Sequence, residues 1–520
     1  MTPSPNSSSP SPLPSMESDR RRGPGAASIL VIVLLVAAYF IPRGPMWNAD
    51  SRIFLTASIV DHGQLDIDPF ATNTGDIARV GAHAYSDKAP GLSLAAVPIY
   101  AVLKYTLLGG HPYTTLFAVP EGQRLDFLPR YVLALAYAGL PTAILAALLY
   151  LFFARMGLGM RWRTLLSLTY GLGTIALPFG TVFFGHQLAA VLLFGAFYLF
   201  YRIIHHELPI RFAALAGLLA GYAIITEYPT AIIAAALVLY ACWPRAGRWR
   251  VALAAVVGLL PALAVAGVYN TLAFGSPLSQ GYAHLSGPAM FVQGQAQGFM
   301  GITYPHLDAL WQTTFGPYRG LFLLSPVLLL AFPGWLLLRR WAAWRREALL
   351  WAGIVVAYFL FTISYFEWSG GNSLGPRHFL PALPFLVLPI GELARPERAH
   401  GWKITLAALA GASIVIVTLA TATGPLMNPA FDSPLTEFVL PALLGLPTNP
   451  SQPAPTANTV VSALAQALPF FPRARLDNNW GMLLGLPGLL QLVPLAGAVA
   501  LALWWRAWRA WRLHGKIGYE

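Results

Sequence analysis

The chain reads as an all-α polytopic membrane protein, and three features of its 520 residues predict this. Hydrophobic residues make up 56% and charged residues 10%, whereas a soluble domain carries about a quarter charged residues. Apolar runs of bilayer-spanning length recur along the chain. Basic residues bunch beside alternate runs, as orientation by Lys/Arg bias requires. The single cysteine, Cys242, excludes an internal disulfide and a cysteine metal cluster.

Residues 1–25 are Ser/Pro-rich and end in Arg20, Arg21 and Arg22, a composition that predicts a disordered cytoplasmic tail. Apolar runs follow at about 26–42, 90–108, 131–154, 163–181, 185–204, 211–226, 228–242, 250–272, 321–339, 347–366, 377–393, 403–422 and 484–506. The first is read as a retained helix, since no small-residue cleavage site precedes Asp50. The N-terminal arginines and the Arg155–Arg163 cluster share a side only if an even number of spans separates them. Of the three intervening runs, 90–108 opens with Pro90-Gly91 and carries Pro98 and Lys104, so it is expected as an outer interfacial helix. About twelve spans remain, with both termini cytoplasmic.

This layout puts 22 of the 33 basic residues inside and 14 of the 21 acidic residues outside, so the net +12 reports topology and predicts no nucleic-acid partner. It divides the chain into a catalytic module at 26–242 with an outer loop at 43–130, and further helices at 243–422 with an outer loop at 273–320. An outer loop or small cap follows at 423–483, then a last helix and basic tail at 484–520. Trp504, Trp505 and Trp508 among arginines read as an inner interfacial anchor.

Charge held against a bilayer marks candidate sites. Asp50 lies in Trp47-Asn48-Ala49-Asp50-Ser51-Arg52, ahead of an amphipathic stretch, 53–60, expected as a short interfacial helix. A plain N-cap and a catalytic carboxylate are equally open readings of it. Asp87 and Lys88 lie in Tyr85-Ser86-Asp87-Lys88-Ala89-Pro90-Gly91. Arg377 and His378 follow Trp368-Ser369-Gly370-Gly371, where glycines admit close backbone approach and an arginine fork suits phosphate. Arg319 in Gly316-Pro317-Tyr318-Arg319-Gly320 is a similar candidate. His186 and Glu227 occupy tight outer turns; with Trp368 they are acceptor contacts or structural groups, Glu227 as fitting for a salt bridge as for chemistry. Asp66 and Asp68 are expected to make a polar turn.

The acidic residue past the first span, the outer loop with interfacial helices, and the Tyr-X-Asp-Lys-Ala-Pro element together resemble the GT-C superfamily of polytopic glycosyltransferases over residues 26–240. The nearest resemblance is to the dolichyl-phosphate-mannose–protein mannosyltransferase and aminoarabinose-transferase branches. It implies transfer of a sugar from a polyprenyl-phosphate carrier to a glycan, lipid or protein acceptor at the outer face of a membrane, expected to be a bacterial plasma membrane. Asp50 would be the general base, Lys88 the ligand of the carrier phosphate, and Asp87, the second catalytic candidate, the acidic neighbour of Lys88 that orients it or touches the acceptor, with Arg52, Arg319, Arg377 and His378 as further donor contacts. Ser51 stands where the superfamily often has a second carboxylate, and Ala89 where it often has proline, which bears on acceptor contacts. No metal is expected to be required, although Asp50, Asp87 and Glu227 could supply oxygen ligands to a divalent ion if brought together. The rival readings are a multi-pass transporter, with ionisable groups near the bilayer midplane, and a flippase or ligase of lipid-linked glycans.

Overall fold

The computed structural model describes residues 25–41, 46–117, 127–242, 249–340, 343–448, 474–476 and 478–515, with side chains through 505. The N-terminal tail, residues 449–473 and the side chains of Arg506, Trp508 and Arg509 lie outside the described residues. The protein is all-α and polytopic, as its composition dictates. Among the described residues six helices are long and apolar enough to cross a membrane: Phe127–Arg155, His186–Ile204, Trp249–Phe274, Arg345–Ser364, His400–Thr423 and Gly488–Trp505. Shorter apolar helices include Gly25–Tyr39, Gly91–Thr106, Phe212–Thr226 and Tyr228–Cys242.

We number as α1 the helix Gly25–Tyr39, α2 Trp47–His62, α3 Gly91–Thr106, α4 Phe127–Arg155, α5 His186–Ile204, α6 Phe212–Thr226 and α7 Trp249–Phe274. Three expectations change. The stretch 53–60 is not a one-sided interfacial helix: α2 runs over 16 residues and every position from Ala49 to Ser58 is buried. The run 377–393 is not one helix but three short turns, Arg377–Ala382, Leu383–Val387 and Leu388–Ala394. Pro381, Pro384 and Pro389 interrupt the backbone ladder there. Finally, the segment between α2 and α3 contains an antiparallel hairpin, β1 Ile77–Val80 with β2 His83–Ser86, in the register Ile77 opposite Ser86. Gly81 makes its turn at φ 61.

The hairpin joins two helices that run side by side in the same direction. Thr56 Oγ1 donates to Ser93 O at 3.0 Å, Arg52 Nη1 to Ala89 O at 3.3 Å, and Asp61 receives Tyr100 OH at 3.1 Å and Lys104 Nζ at 2.9 Å. The near-constant offset between partners fixes α2 and α3 as a parallel pair. Gly91 permits its close seat on α6, since a Cβ there would lie 2.6 Å from Ile225 O. Thus 90–108 packs along the loop helix and against α6.

The long interhelical segments meet at one end of the molecule. Ala78 bridges to Leu285, and Ser286 N donates to Ile77 O at 3.1 Å, extending the hairpin with the 273–320 segment. Thr303 N reaches Ser364 O at 2.8 Å, and Ser373 N reaches Met427 O at 3.1 Å. The opposite end gathers the basic clusters. Arg155 pairs with Glu207, Arg398 with Glu392, and Arg395 Nη2 donates to Met156 O at 2.8 Å. Helix α5 connects the two ends, from His186 to Arg202; its 19 residues span about 28 Å, close to a bilayer core.

Candidate active site

The site begins at the first turn of α2. Asp50 is not the N-cap: Met46 occupies that position, and Asp50 Oδ2 accepts the Met46 N–H at 2.8 Å from inside the helix. Its Oδ1 contacts Arg130 Nη1 of α4, both side chains being almost fully buried. A buried carboxylate needs such a partner, because an unpaired charge is expelled from an apolar interior. Arg130 was not singled out in the sequence; its signal is a lone arginine inside an apolar helix start, Phe127-Leu128-Pro129-Arg130.

The next two residues tie this turn to the Asp87–Lys88 segment. Ser51 Oγ lies 2.8 Å from Ser86 Oγ, and Arg52 donates to Ala89 O. Arg52, 1% exposed, also donates to Thr226 O at 3.3 Å and to Glu227 Oε1 at 2.7 Å. Ser51 and Arg52 therefore bridge the two motifs.

Lys88 Nζ is held between two carboxylates, Asp87 Oδ2 and Asp76 Oδ2, each at 2.9 Å, with the Tyr282 ring centroid 5.7 Å away. Burial works against its ammonium, but Asp76 and Asp87 more than offset that and raise its pKa. Burial pushes the Asp87 carboxyl up to about 6, although Lys88 draws it down. Gly281 is required beside this pair, since a Cβ there would lie 2.7 Å from Asp87 Cα. Asp76 and Tyr282 were missed in the sequence; each becomes relevant only when the hairpin and the 273–320 segment fold onto Lys88.

Glu227, between α6 and the following turn, is the hub of the neighbouring cluster. It receives Arg52, and its Oε1 lies 3.2 Å from His186 Nδ1 at the start of α5. Burial alone would raise its pKa, but Arg52 and His186 hold it well below the usual carboxylate range. Gly185 lets the carboxylate reach the helix start: a Cβ there would lie 2.5 Å from Glu227 Oε1. A carboxylate at a helix N-terminus also offsets the helix dipole.

His378 extends the cluster, its ring 6.0 Å from that of His186 and its Nε2 3.1 Å from Glu367 O. Arg377 stacks over Phe184 at 5.3 Å and packs against Gly370, which lies at φ 75. Arg319 and Trp368 sit differently. Arg319, 1% exposed, donates to Gly371 O at 2.9 Å, Ser369 O at 3.3 Å and Tyr318 O at 3.2 Å, so it braces the glycine turn. Burial lowers its pKa to about 10. Trp368 meets Tyr318 edge-on at 5.9 Å.

Asp50, Asp87 and Glu227 each face their own cation rather than one another. Among the described residues, the group with ligand atoms within 4.8 Å of one another is instead Asp66, Asp68 and His83, in the loop and hairpin. Asp68 there accepts Ala84 N at 2.6 Å and pairs with His83 at 2.7 Å, the polar turn expected of it.

The molecule is thus a polytopic helical membrane protein with a buried, multiply charged site where its extra-helical segments converge. No protein-family model and no curated protein matches the chain. Two solved structures from Archaeoglobus fulgidus are similar to it. One is the archaeal oligosaccharyltransferase AglB in complex with an inhibitory peptide and a dolichol-phosphate (TM-score 0.43, 12% identity, covering 76% of this chain and 56% of that one). The other is the oligosaccharyltransferase tethered to an acceptor peptide through a disulfide (TM-score 0.40, 13% identity, 76% and 54% covered). The chain spans about half the length of these structures. Its functional reading rests on the side chains above.

Proposed function

We propose that the chain is a membrane glycosyltransferase that moves a sugar from a polyprenyl-phosphate carrier to an acceptor at the extracytoplasmic face, with Asp50 as general base and inversion at the anomeric carbon. The observation that supports this reading is the junction of Ser51 with Ser86 and of Arg52 with Ala89, which brings the Asp50 turn against the Asp87–Lys88 turn. The Asp50 base thereby adjoins a second carboxylate, Asp87, and through Arg52 it adjoins the His186 and Arg377 cluster around Glu227, so a base and cations for a phosphate lie on neighbouring segments. The acceptor hydroxyl or amine loses its proton to a carboxylate as its oxygen or nitrogen bonds the anomeric carbon. The bond from that carbon to the phosphate oxygen breaks, and the phosphate leaves with the electron pair. Donors fixed in a buried site stabilise that developing charge more than water would.

Within this reading Arg130 orients Asp50, and Asp87, with its raised pKa, is the second carboxylate at the acceptor. The acceptor is a glycan, lipid or protein. A panel of polyprenyl-phosphate sugars supplied to the purified full chain tests the proposal. Asp50→Asn is expected to lower transfer by about 10²–10⁴-fold. Normal transfer by Asp50→Asn would remove the catalytic assignment, and loss confined to transport into vesicles would favour the transporter.

A further inference from the structure

Resting on the transferase reading, we propose that the donor phosphate is held at Arg377 and His186, beside the start of α5, and not at Lys88. The charges decide it. Lys88 is shared by two carboxylates, Asp76 and Asp87, so a phosphate approaching it meets an excess of negative charge. The adjoining cluster has the opposite balance. Glu227 is one carboxylate among Arg52, Arg377 and His186, and Arg52 already spends its donors on Glu227 and two carbonyls.

Arg377 keeps one unpaired donor. Among the described residues its Nε is buried with no hydrogen-bond partner, and its guanidinium rests on the face of Phe184. A second, independent orphan lies beside it. His186 is 6% exposed, its Nδ1 is taken by Glu227, and its Nε2 is buried with no partner among the described residues. The two are linked through Phe184, whose ring is 6.1 Å from His186, and through His378, next to Arg377 in sequence and 6.0 Å from His186. Buried polar atoms without partners are costly unless a ligand meets them. A phosphate, acceptor-only and bidentate toward arginine, has the chemistry to do so. Lys88 is then a positioning residue that holds Asp87 and Asp76.

Binding of undecaprenyl phosphate to the purified full chain in detergent, read by native mass spectrometry and thermal stabilisation, tests this. Undecaprenol and inorganic phosphate serve as the other ligand arms. Arg377→Gln and His186→Gln are expected to weaken undecaprenyl phosphate binding about ten- to a hundredfold. Lys88→Met is expected to keep that binding while losing transfer. Arg377→Gln should leave the Tm of the ligand-free protein close to that of the parent, because the Arg377 Nε has no hydrogen bond to lose; a fall in Tm would mark a structural arginine and overturn the proposal. Loss of binding in Lys88→Met with retention in the other two variants would also overturn it, leaving the transferase reading intact. Equal stabilisation by inorganic phosphate alone would overturn the lipid assignment. A wild-type chain that neither binds the lipid phosphate nor transfers sugar would overturn both readings.

Discussion

Asp50 and Arg130 show how a single buried pair can be essential without adding net stability. Both are nearly inaccessible, so the Coulombic gain is largely consumed by desolvation. Removing one partner leaves the other stranded. Arg130→Gln is therefore expected to destabilise the protein by about 3–5 kcal/mol, read as a lowered unfolding midpoint in detergent, whereas Asp50→Asn, which keeps the shape, should cost less stability and most of the activity. Asp87 carries a pH signature. Its pKa of about 6 against an ordinary 3.8 means that in this window the folded chain holds a proton the unfolded chain has released. Stability accordingly declines as pH rises across the window. Transfer, which needs the carboxylate ionised, should fall as pH drops through about 6, and Asp87→Asn should flatten that limb of the pH–rate profile.

The decisive elements are those that approach one another closely. Helices α6 and α7 touch backbone to backbone: a Cβ at Gly217 would lie 1.9 Å from Ala255 O, and one at Gly258 2.0 Å from Ala214 O. Neither neighbour is a flexible side-chain tip, so the helices themselves must part. Gly217→Ala or Gly258→Ala is expected to cost about 1–3 kcal/mol by overpacking, checked by thermal unfolding. The double variant should cost less than the sum, because both act on one contact. Since Glu227 closes α6, separation of this pair should also loosen its hold on Arg52 and His186. The parallel α2–α3 pair was half legible in sequence. Pro90, Pro98 and Lys104 argued against a span, but the ladder of Thr56–Ser93 and Asp61–Lys104 contacts has no local signature.

Across the whole molecule, the charged site and the basic clusters occupy opposite ends of α5, as the Lys/Arg distribution implies. Sidedness is directly measurable. In a Cys242→Ser background, cysteines at the exposed Gln64 and Asn372 are expected to react with an impermeant maleimide added outside cells, and one at His206 only after permeabilisation. The reverse pattern would place the site on the cytoplasmic side.

Composition and charge order by themselves determined that this chain is a bundle of apolar helices. They also grouped Asp50, Asp87, Lys88, His186, Glu227 and Arg377 on one face, because hydropathy and Lys/Arg bias are properties of local sequence. They could not apportion the ionic partners. Which cation neutralises which carboxylate depends on distances across segments up to 175 residues apart, as for Arg52 and Glu227. Only the tertiary structure decided that Arg319 braces a glycine turn, that Asp76 and Tyr282 enclose Lys88, and that Arg130 belongs to Asp50. Pairing energies in a low-dielectric interior are set by ångström-scale geometry that residue spacing along the chain does not encode.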